Sequence, residues 1–527
     1  MDHDALPSSH SDAAYEELMN VAREIRSAAA RLEKKAAGDL LKQQGIRFAP
    51  RTTGTATGQA ETSAASPTRV PDTAANPFVV FNTLGFDAKN TPLQGVIYCE
   101  KYADDLPPGV IVAADGTRLP IEKVSRTEGY SGTAFLLDFH GDIPALGYAV
   151  FRYEQEERPA PCELPISGGI ENEYYHIKLN RYGVEEIFDK RLGHTVAVDG
   201  VCVPYIEEDA GHLWGRTHEY RSYAERIDKP FCVDVMSPSL KHSIDVSAEA
   251  FDGGQRAIVK ITYDRPEQKL TDFIWTMTAT LRTGSDAVEF RIDTRWQAAD
   301  LRLLARFQLP YSTDKMIREI PFGQLERGYV NEYYPAGGYV DDHAALRYIC
   351  AYDENSDWTL TLTNTGTPAH RLLNGTILVS LMRSPTQLWC GYGIEGAREE
   401  GARTFEFTLS SNAGKPVNPA PRGWVQNARF PSYGVDCAAA VSISMLNLPD
   451  NAMLSALKWA EDGTGLVARY YESYGCAVEL DFGHEATEID ILEHGAAGSP
   501  ACVHGLRPFE IKTFAVGQGV SIISERF

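Results

Sequence analysis

Two adjacent residues near the start of the chain, His3 and Asp4, have side chains suited to binding a metal and a hydroxyl group. A neutral imidazole is a good zinc ligand, and a carboxylate beside it can bind a hydroxyl or orient its neighbour. A zinc site needs about four ligands, and a single histidine near a terminus is a weak signal by itself. We therefore treat His3 as a candidate metal ligand and Asp4 as a candidate ligand-binding residue.

The composition limits the kinds of partner. At 527 residues the chain can hold about three domains. Its formal net charge of -22 argues against nucleic acid or an anionic membrane as a partner but leaves a neutral ligand open. No apolar run is long enough to span a membrane, and the nine cysteines are scattered without a CxxC pair. These features predict reduced thiols and a cytoplasmic protein.

One amphipathic helix is predicted for residues 11–37. Leu18, Val21, Ile25, Ala28 and Leu32 follow one another at alternating spacings of three and four, and Gly38 stands where such a helix would end. The apolar stripe needs a partner, so we expect it to dock on a sheet or to associate between copies as a homo-oligomer.

After the helix the residue composition of the sequence changes twice. Residues 50–76 are Thr, Ala, Ser, Gly and Pro with almost no large apolar side chain, which predicts a flexible linker. From residue 77 onward, short β-branched and aromatic runs alternate with Gly, Asp, Asn and Pro turns. That pattern predicts antiparallel sandwiches, and no helix is expected beyond residue 48.

Seven segments along the chain carry distinctive motifs. The first is HDALPSS at 3–9, and the later ones are FVVFNTLGF (78–86), IENEYYHIKLNRYGVEEIFDKRLG (170–193), IREIPFGQLERG (317–328), ILVSLMRSP (377–385), LSALKWAEDGTGLVARYYESYG (454–475) and LRPFEIKTF (506–514). No one segment is decisive, but their common order is a specific signal. In this order the segments resemble glycoside hydrolase family 38, the α-mannosidases.

The resemblance implies a mainly β architecture. Its expected parts are a remnant of a helical bundle at 1–48, a linker at 49–76, a small β-sandwich at 77–160, a large antiparallel supersandwich of the galactose-mutarotase type at 165–415, and a small sandwich at 416–527. The chain would then be the C-terminal, post-barrel portion of such an enzyme, and the barrel that bears the nucleophile would lie upstream of these residues.

The resemblance also implies an activity, the zinc-dependent hydrolysis of terminal α-mannosides with retention. His3 would be the last protein ligand of the zinc, and Asp4 would contact the sugar. The other ligands and the nucleophilic aspartate would belong to the barrel, so no catalytic residue is assigned within this chain. We therefore expect the isolated chain to be inactive and to hold zinc only when the barrel ligands are present.

Other polar clusters are weaker candidates. His212, His218 and Glu219 lie in a glycine-rich segment, and a spacing of six does not put two histidines on one helix face, so we interpret them as polar loop residues. Asp341 and Asp342 could approach a sugar, but neighbours on a strand point to opposite sides. We interpret this pair as solvated or lectin-like residues. Aromatic residues before the pair could stack on pyranose rings or pack in a core: Tyr333, Tyr334 and Tyr339.

Two alternatives from other functional classes stay open. One is a non-catalytic carbohydrate-binding or scaffold protein made of these sandwiches. The other is an enzyme centred on the large sandwich, either an epimerase with a His and a carboxylate on one concave sheet or a lyase with a Tyr or His beside an Arg. The chain has these residue types, but no spacing that selects them.

Overall fold

The chain folds mainly into antiparallel β-strands, as the sequence predicts. The computed structural model describes residues 12–48, 76–99, 105–129, 132–208, 242–265, 270–313, 315–327, 342–353, 357–386, 398–437, 441–444, 448–495 and 498–516. Within these ranges the strands form four sheets of nine, eight, ten and five strands. The chain divides into two compact units, 1–27 with 160–423 and 28–159 with 424–527.

The N-terminal part contributes one helix and seven strands to the described structure. These are α1 (Asp12–Gln43), β1 (Arg47–Phe48), β2 (Pro77–Asn82), β3 (Ala88–Cys99), β4 (Gly109–Val112), β5 (Arg118–Gly129), β6 (Gly132–Ile143) and β7 (Gly147–Gln155).

Among its described residues, the central part consists of strands and one short 3₁₀ turn at Ile166–Gly168. The strands are β8 (Cys162–Leu164), β9 (Ile170–Glu171), β10 (Tyr175–Asn180), β11 (Gly183–Asp189), β12 (His194–Glu208), β13 (His242–Phe251), β14 (Gly254–Arg265), β15 (Leu270–Arg282), β16 (Val288–Ala298), β17 (Leu301–Gln308), β18 (Met316–Ile320), β19 (Gly323–Arg327), β20 (His343–Ala344), β21 (Tyr348–Asp353), β22 (Trp358–Asn364), β23 (Ala369–Leu373), β24 (Thr376–Arg383) and β25 (Gly401–Ala413).

The last part has a short helix and seven strands among the described residues. They are α2 (Ala420–Asn427), β26 (Ser432–Asp436), β27 (Ser442–Ser444), β28 (Ala452–Trp459), β29 (Leu466–Glu472), β30 (Val478–Ile489), β31 (Ala501–Leu506) and β32 (Ile511–Val516). The expectation that no helix follows residue 48 was therefore wrong. The segment APRGWVQN has no long apolar period, so the sequence pattern does not reveal so short a helix.

The eight- and ten-stranded sheets share one large apolar core, so the supersandwich is present. Their strand orders are β20-β23-β24-β17-β12-β11-β10-β9 and β19-β18-β21-β22-β25-β16-β15-β14-β13-β8. Residues such as Ile187 and Leu303 from one sheet and Trp275 and Phe407 from the other are buried together. Apolar residues at every second position produce this core, because successive side chains on a strand point to opposite faces. In β10, for example, Tyr175, Ile177 and Leu179 are buried.

A buried polar bridge also joins these two sheets. Asp189, at the end of β11, accepts hydrogen bonds from Arg191 Nη2 at 2.9 Å and from Ser411 Oγ, on β25, at 2.7 Å. The hydroxyl of Tyr175 lies 3.0 Å from Ser411 Oγ and accepts a hydrogen bond from the Ser411 backbone. The network ties β10 and β11 to β25, because Arg191 Nη2 donates to Tyr175 Oη, to Asp189 Oδ2 and to the Ser411 carbonyl.

The nine-stranded sheet draws on distant parts of the chain. Its order is β1-β26-β2-β7-β4-β5-β6-β3, with β27 paired to β7. Strand β2 is buried on both faces: Phe78 and Val80 lie in one apolar cluster, and Val79 and Phe81 lie in another with residues of α1. The sequence pattern did not predict that β26 and β27 join this sheet. The five-stranded sheet has the order β28-β29-β32-β30-β31.

Helix α1 runs further than the predicted 11–37 and ends in a Schellman motif. The Ile46 N–H donates to the Leu41 carbonyl at 2.9 Å and the Gly45 N–H donates to the Lys42 carbonyl at 3.1 Å, with Gly45 at φ 72°. Gly38, the predicted end, lies inside the helix. A Cβ there would come 2.8 Å from the Phe48 ring, so close packing explains the glycine.

The predicted apolar stripe of α1 is not the surface that docks. Val21, Ile25 and Leu32 are 46%, 64% and 69% exposed, whereas Ala37 and Leu41 pack into the cluster against β2 and β7. The helix thus docks on a sheet, which was one of the two expectations. It docks through Ala37, at its predicted end, and Leu41, beyond that end. The predicted linker at 49–76 falls, apart from Asn76, outside the described residues and stays a prediction, as do the domain bounds.

We predict that Leu41→Ala lowers the free energy of unfolding by about 3 kcal/mol, because it removes buried apolar atoms and leaves a cavity in the core. The matched variant Ile25→Ala should change it by less than about 0.5 kcal/mol, because that side chain is exposed. Urea denaturation of both variants measures the two values. Equal losses would show that the outer part of α1 is also packed.

Candidate functional site

Most of the residues singled out from the sequence lie outside the described structure. His3 and Asp4 precede residue 12, and the segment with His212, His218 and Glu219 falls between 208 and 242. Tyr333, Tyr334, Tyr339 and Asp341 fall between 327 and 342. Their predicted roles therefore stay predictions, and Asp342 is the candidate that the structure places.

Asp342 belongs to a buried cluster of four charged side chains, which we call the four-ion cluster: Glu207, Arg302, Asp342 and Arg371. Arg371 Nη1 donates to Glu207 Oε1 at 2.7 Å and Arg371 Nη2 lies 3.0 Å from Asp342 Oδ1. Arg302 pairs with Asp342, and its Nη1 lies 3.9 Å from Glu207 Oε2. The side chains of the two arginines are 2% and 3% exposed, and those of Glu207 and Asp342 are 6% and 11% exposed.

The strand register explains why these groups meet. Glu207 on β12 and Arg302 on β17 are directly opposite each other. On β17, Leu301, Leu303 and Ala305 face the shared core, so Arg302 points to the opposite, outer face of the eight-stranded sheet. Arg302 Nε also donates to Ser380 Oγ on β24 at 3.3 Å, and Arg371 follows on β23.

The arrangement is a clamp rather than a set of reactive groups. Two guanidinium forks and two carboxylates cancel in charge, and each carboxylate accepts hydrogen bonds from an arginine. The cluster ties the residue that precedes β20 to strands β12, β17 and β23. The interpretation of Asp342 as a solvated residue was therefore wrong, because its carboxylate is almost fully buried between two arginines.

Only a faint signal of this cluster is present in the sequence. Arg302 and Arg306 stand four apart within the apolar run LRLLARF, which indicates that one face of that strand carries cations. The partners Glu207 and Arg371 are 164 residues apart in sequence, so their pairing depends on a register that no local pattern contains.

A histidine lies on the other face of the same strand. His370 on β23 is fully buried, stands opposite His343 of β20, and has no hydrogen bond of normal geometry to either ring nitrogen among the described residues. Burial lowers the pKa of His370 to about 4. Among the described residues no group of three His, Cys, Asp or Glu side chains could hold a metal ion. The described part therefore offers no zinc site to which His3 would be added.

We predict that Arg371→Leu lowers the free energy of unfolding by about 3–5 kcal/mol, because it leaves buried carboxylates without a partner. Arg291→Leu is the control: its pairs with Asp293 and Glu406 are about half exposed, so it should cost less than about 1 kcal/mol. Arg371→Leu combined with Glu207→Leu should cost less than the sum of the single variants. Equal costs for Arg371→Leu and Arg291→Leu in denaturant titrations would refute the clamp.

We predict that His370 makes the protein acid-sensitive. Above the unfolded-state pKa of about 6.5 the ring is neutral in both states. Between that value and the folded pKa of about 4 the unfolded chain binds the proton first, so the free energy of unfolding falls as pH falls. The total loss is about 3 kcal/mol. Unfolding at pH 7, 6, 5 and 4 should show a shallower slope for His370→Leu, whereas the exposed His494→Leu should keep the native slope.

Comparison with known proteins identifies the class of the chain. Residues 170–389 match the model of the glycosyl hydrolases family 38 C-terminal domain, and residues 451–514 match that of the family 38 C-terminal beta sandwich domain. The first match begins at β9 and covers most of the supersandwich, and the second covers most of the five-stranded sheet. The chain therefore belongs to glycosyl hydrolase family 38, a family of glycosidases, and carries its C-terminal portion.

Individual relatives agree with this assignment. The chain is 22% identical over 282 residues to alpha-mannosidase G of Dictyostelium discoideum, a match that covers 50% of this chain and 25% of the relative. An α-mannosidase from Enterococcus faecalis V583 has a TM-score of 0.63 at 17% identity, covering 85% of this chain and 56% of that one. A protein of glycosyl hydrolase family 38 from Enterococcus faecalis has a TM-score of 0.62 at 17% identity, and the match covers 85% of this chain and 59% of that one. These two structures show the shared fold, and the chain spans well under two thirds of each relative.

Proposed function

We propose that this chain is the C-terminal portion of a zinc-dependent retaining α-mannosidase that hydrolyses terminal α-mannosides. The observation that carries the proposal is the pair of family 38 C-terminal domains in one chain, at 170–389 and 451–514. The relatives with α-mannosidase in their names support the substrate class. The nucleophile would come from a catalytic barrel outside these 527 residues, in keeping with the greater length of the relatives.

We infer that the described part does not act alone, and the chemistry of retention supports this inference. The reaction needs two carboxyl groups about 5 Å apart, one to attack the anomeric carbon and one to protonate the leaving oxygen. The four acidic residues buried in the described ranges are held in other contacts: Asp189, Glu207, Glu319 and Glu472. The first three pair with arginines, and Glu472 accepts the backbone N–H groups of Tyr474, Gly475 and Phe509.

The contribution of this chain to the active site would then be small. We propose that His3 is one zinc ligand and that Asp4 contacts the sugar, while the remaining ligands come from the barrel. No helix of the described part is long and apolar enough to cross a membrane. The cytoplasmic location and the state of assembly stay predictions from the sequence.

The pair His370 and Arg371 does not supply the site that an epimerase or lyase on the large sandwich would need. Such an enzyme needs a base and a partner on one accessible face. His370 and Arg371 are neighbours on β23, so they point to opposite faces, and both are buried. The carboxylates nearest Arg371 are already bound in the four-ion cluster.

We predict that the isolated 527-residue chain hydrolyses no 4-nitrophenyl α-D-mannopyranoside and carries no zinc by elemental analysis, because it offers one predicted ligand where about four are needed. Adding an upstream barrel, in the same chain or as a second one, should restore both properties. His3→Ala should then remove both, because it deletes a ligand, whereas the matched variant His10→Ala should remove neither. Zinc-dependent turnover by the isolated chain would contradict the proposal.

A further inference from the structure

The apolar stripe of α1 remains exposed after the helix has docked. Val21, Ile25 and Leu32 are exposed, whereas Ala37 and Leu41 pack against the nine-stranded sheet. At 3.6 residues per turn, these two docking residues lie about 120° and about 160° around the helix axis from Ile25. The stripe and the docking surface are therefore different faces of α1, and both can be occupied at the same time.

The stripe has the spacing of a coiled-coil seam. Alternating steps of three and four residues place its members at the a and d positions of a seven-residue repeat: Leu18, Val21, Ile25, Ala28 and Leu32. The e positions beside this seam are all alanine: Ala22, Ala29 and Ala36. Because the distance between two packed helices depends on the side chains at their contact, a border of alanines lets another helix approach closely.

The charges at the g positions indicate which helix fits. Glu24 and Arg31 are both exposed and border the seam on its other side. If a second copy of α1 runs antiparallel, with the centre of the contact between Arg26 and Ser27, Glu24 of each copy faces Arg31 of the other. A shift of one heptad would bring either the two Glu24 or the two Arg31 side chains together. In a parallel pair both residues would face alanines, so the charges favour one orientation and one register.

The sizes of the side chains in the seam agree with this register. Val21 of each copy would pack on Leu32 of the other, and Ile25 of each copy on Ala28 of the other. A parallel pair would place Ile25 against Ile25 and Ala28 against Ala28, which leaves a crowded layer next to an empty one. Large residues opposite small ones fill the contact evenly, so packing and charge select the same arrangement.

Net charge and area set the strength of this contact. The chain has a formal charge of -22, but residues 16–37 carry four acidic and five basic side chains, so the surface around the seam is almost neutral. A contact over these residues is about 33 Å long and buries on the order of 500 Å² per copy. That area is below the roughly 800 Å² per partner of a standard interface, so we expect a Kd in the micromolar range.

We propose that the seam of α1 is a dimerisation surface, at which two copies of this chain pair through antiparallel helices. The same residues of both copies would meet around a two-fold axis, so the contact closes at two copies and does not extend into a filament. The proposal depends on α1 alone and not on the proposed function.

The test is sedimentation of the full 527-residue chain from about 1 to about 200 µM, where a monomer–dimer equilibrium should appear. Ile25→Glu should raise the dimer Kd about a hundredfold, because it puts a carboxylate into the seam. The control Val417→Glu changes an exposed apolar residue outside the helix and should leave the Kd unchanged. Circular dichroism of both variants should match that of the native chain, because both side chains are exposed.

Charge reversal tests the orientation and the register. Arg31→Glu should raise the dimer Kd about tenfold, because two opposite-charge pairs become like-charge pairs, and adding Glu24→Arg should restore the native value. Arg23→Glu makes the same charge change on the far side of the helix, so it should have little effect.

A monomer at every concentration, or a dimer that Ile25→Glu leaves intact, would overturn the inference. Failure of the double charge reversal to restore the native Kd would overturn the antiparallel pairing. These outcomes are separate from the proposed function, which is read from mannoside hydrolysis by the chain completed with its barrel.

Discussion

The apolar core shared by the eight- and ten-stranded sheets is the constraint on which the central part of this chain depends. Each sheet presents one face of alternating large apolar side chains, and neither face is stable in water without the other. Because the side-chain period of a strand is two, a slip of one residue would turn every core side chain outward. The bridge from Asp189 to Ser411 adds a directional contact between the sheets, so the core stabilises the pairing while the hydrogen bonds specify its register.

The sequence predicts well what is local. The turn Thr283–Asp286, with Gly284 as a turn residue, lies between β15 and β16, and the alternation in Tyr175–Asn180 appears as buried and exposed faces. What depends on distant pairing was missed. The four-ion cluster is one example, since it joins residues from four strands or their flanks, and the entry of β26 into the nine-stranded sheet is another. The end of α1 was misplaced because a glycine at position 38 is typical of a helix end, whereas Gly38 lies inside the helix and packs closely against the Phe48 ring.

Buried charge in this chain is placed where loops meet sheets. The four-ion cluster fixes the approach to β20, and the Asp189 bridge fixes the turn after β11. Glu472 accepts backbone N–H groups from the turn after β29 and from Phe509, two residues before β32. These carboxylates hold irregular backbone that an apolar core could not satisfy. Such charge is therefore poor evidence of catalysis here, although buried carboxylates are where a search for acid and base groups would begin.

The nine-stranded sheet joins strands from distant parts of the chain, and this has a consequence for synthesis on the ribosome. Strands β2 to β7 emerge early, but their partners β26 and β27 follow only after about 280 further residues, a delay on the order of tens of seconds at usual translation rates. During that interval β2 and β7 expose edges that the finished sheet covers. The supersandwich, whose strands are consecutive in sequence, can complete itself first. Nascent chains stalled between residues 160 and 430 are thus the forms most exposed to aggregation and to capture by chaperones.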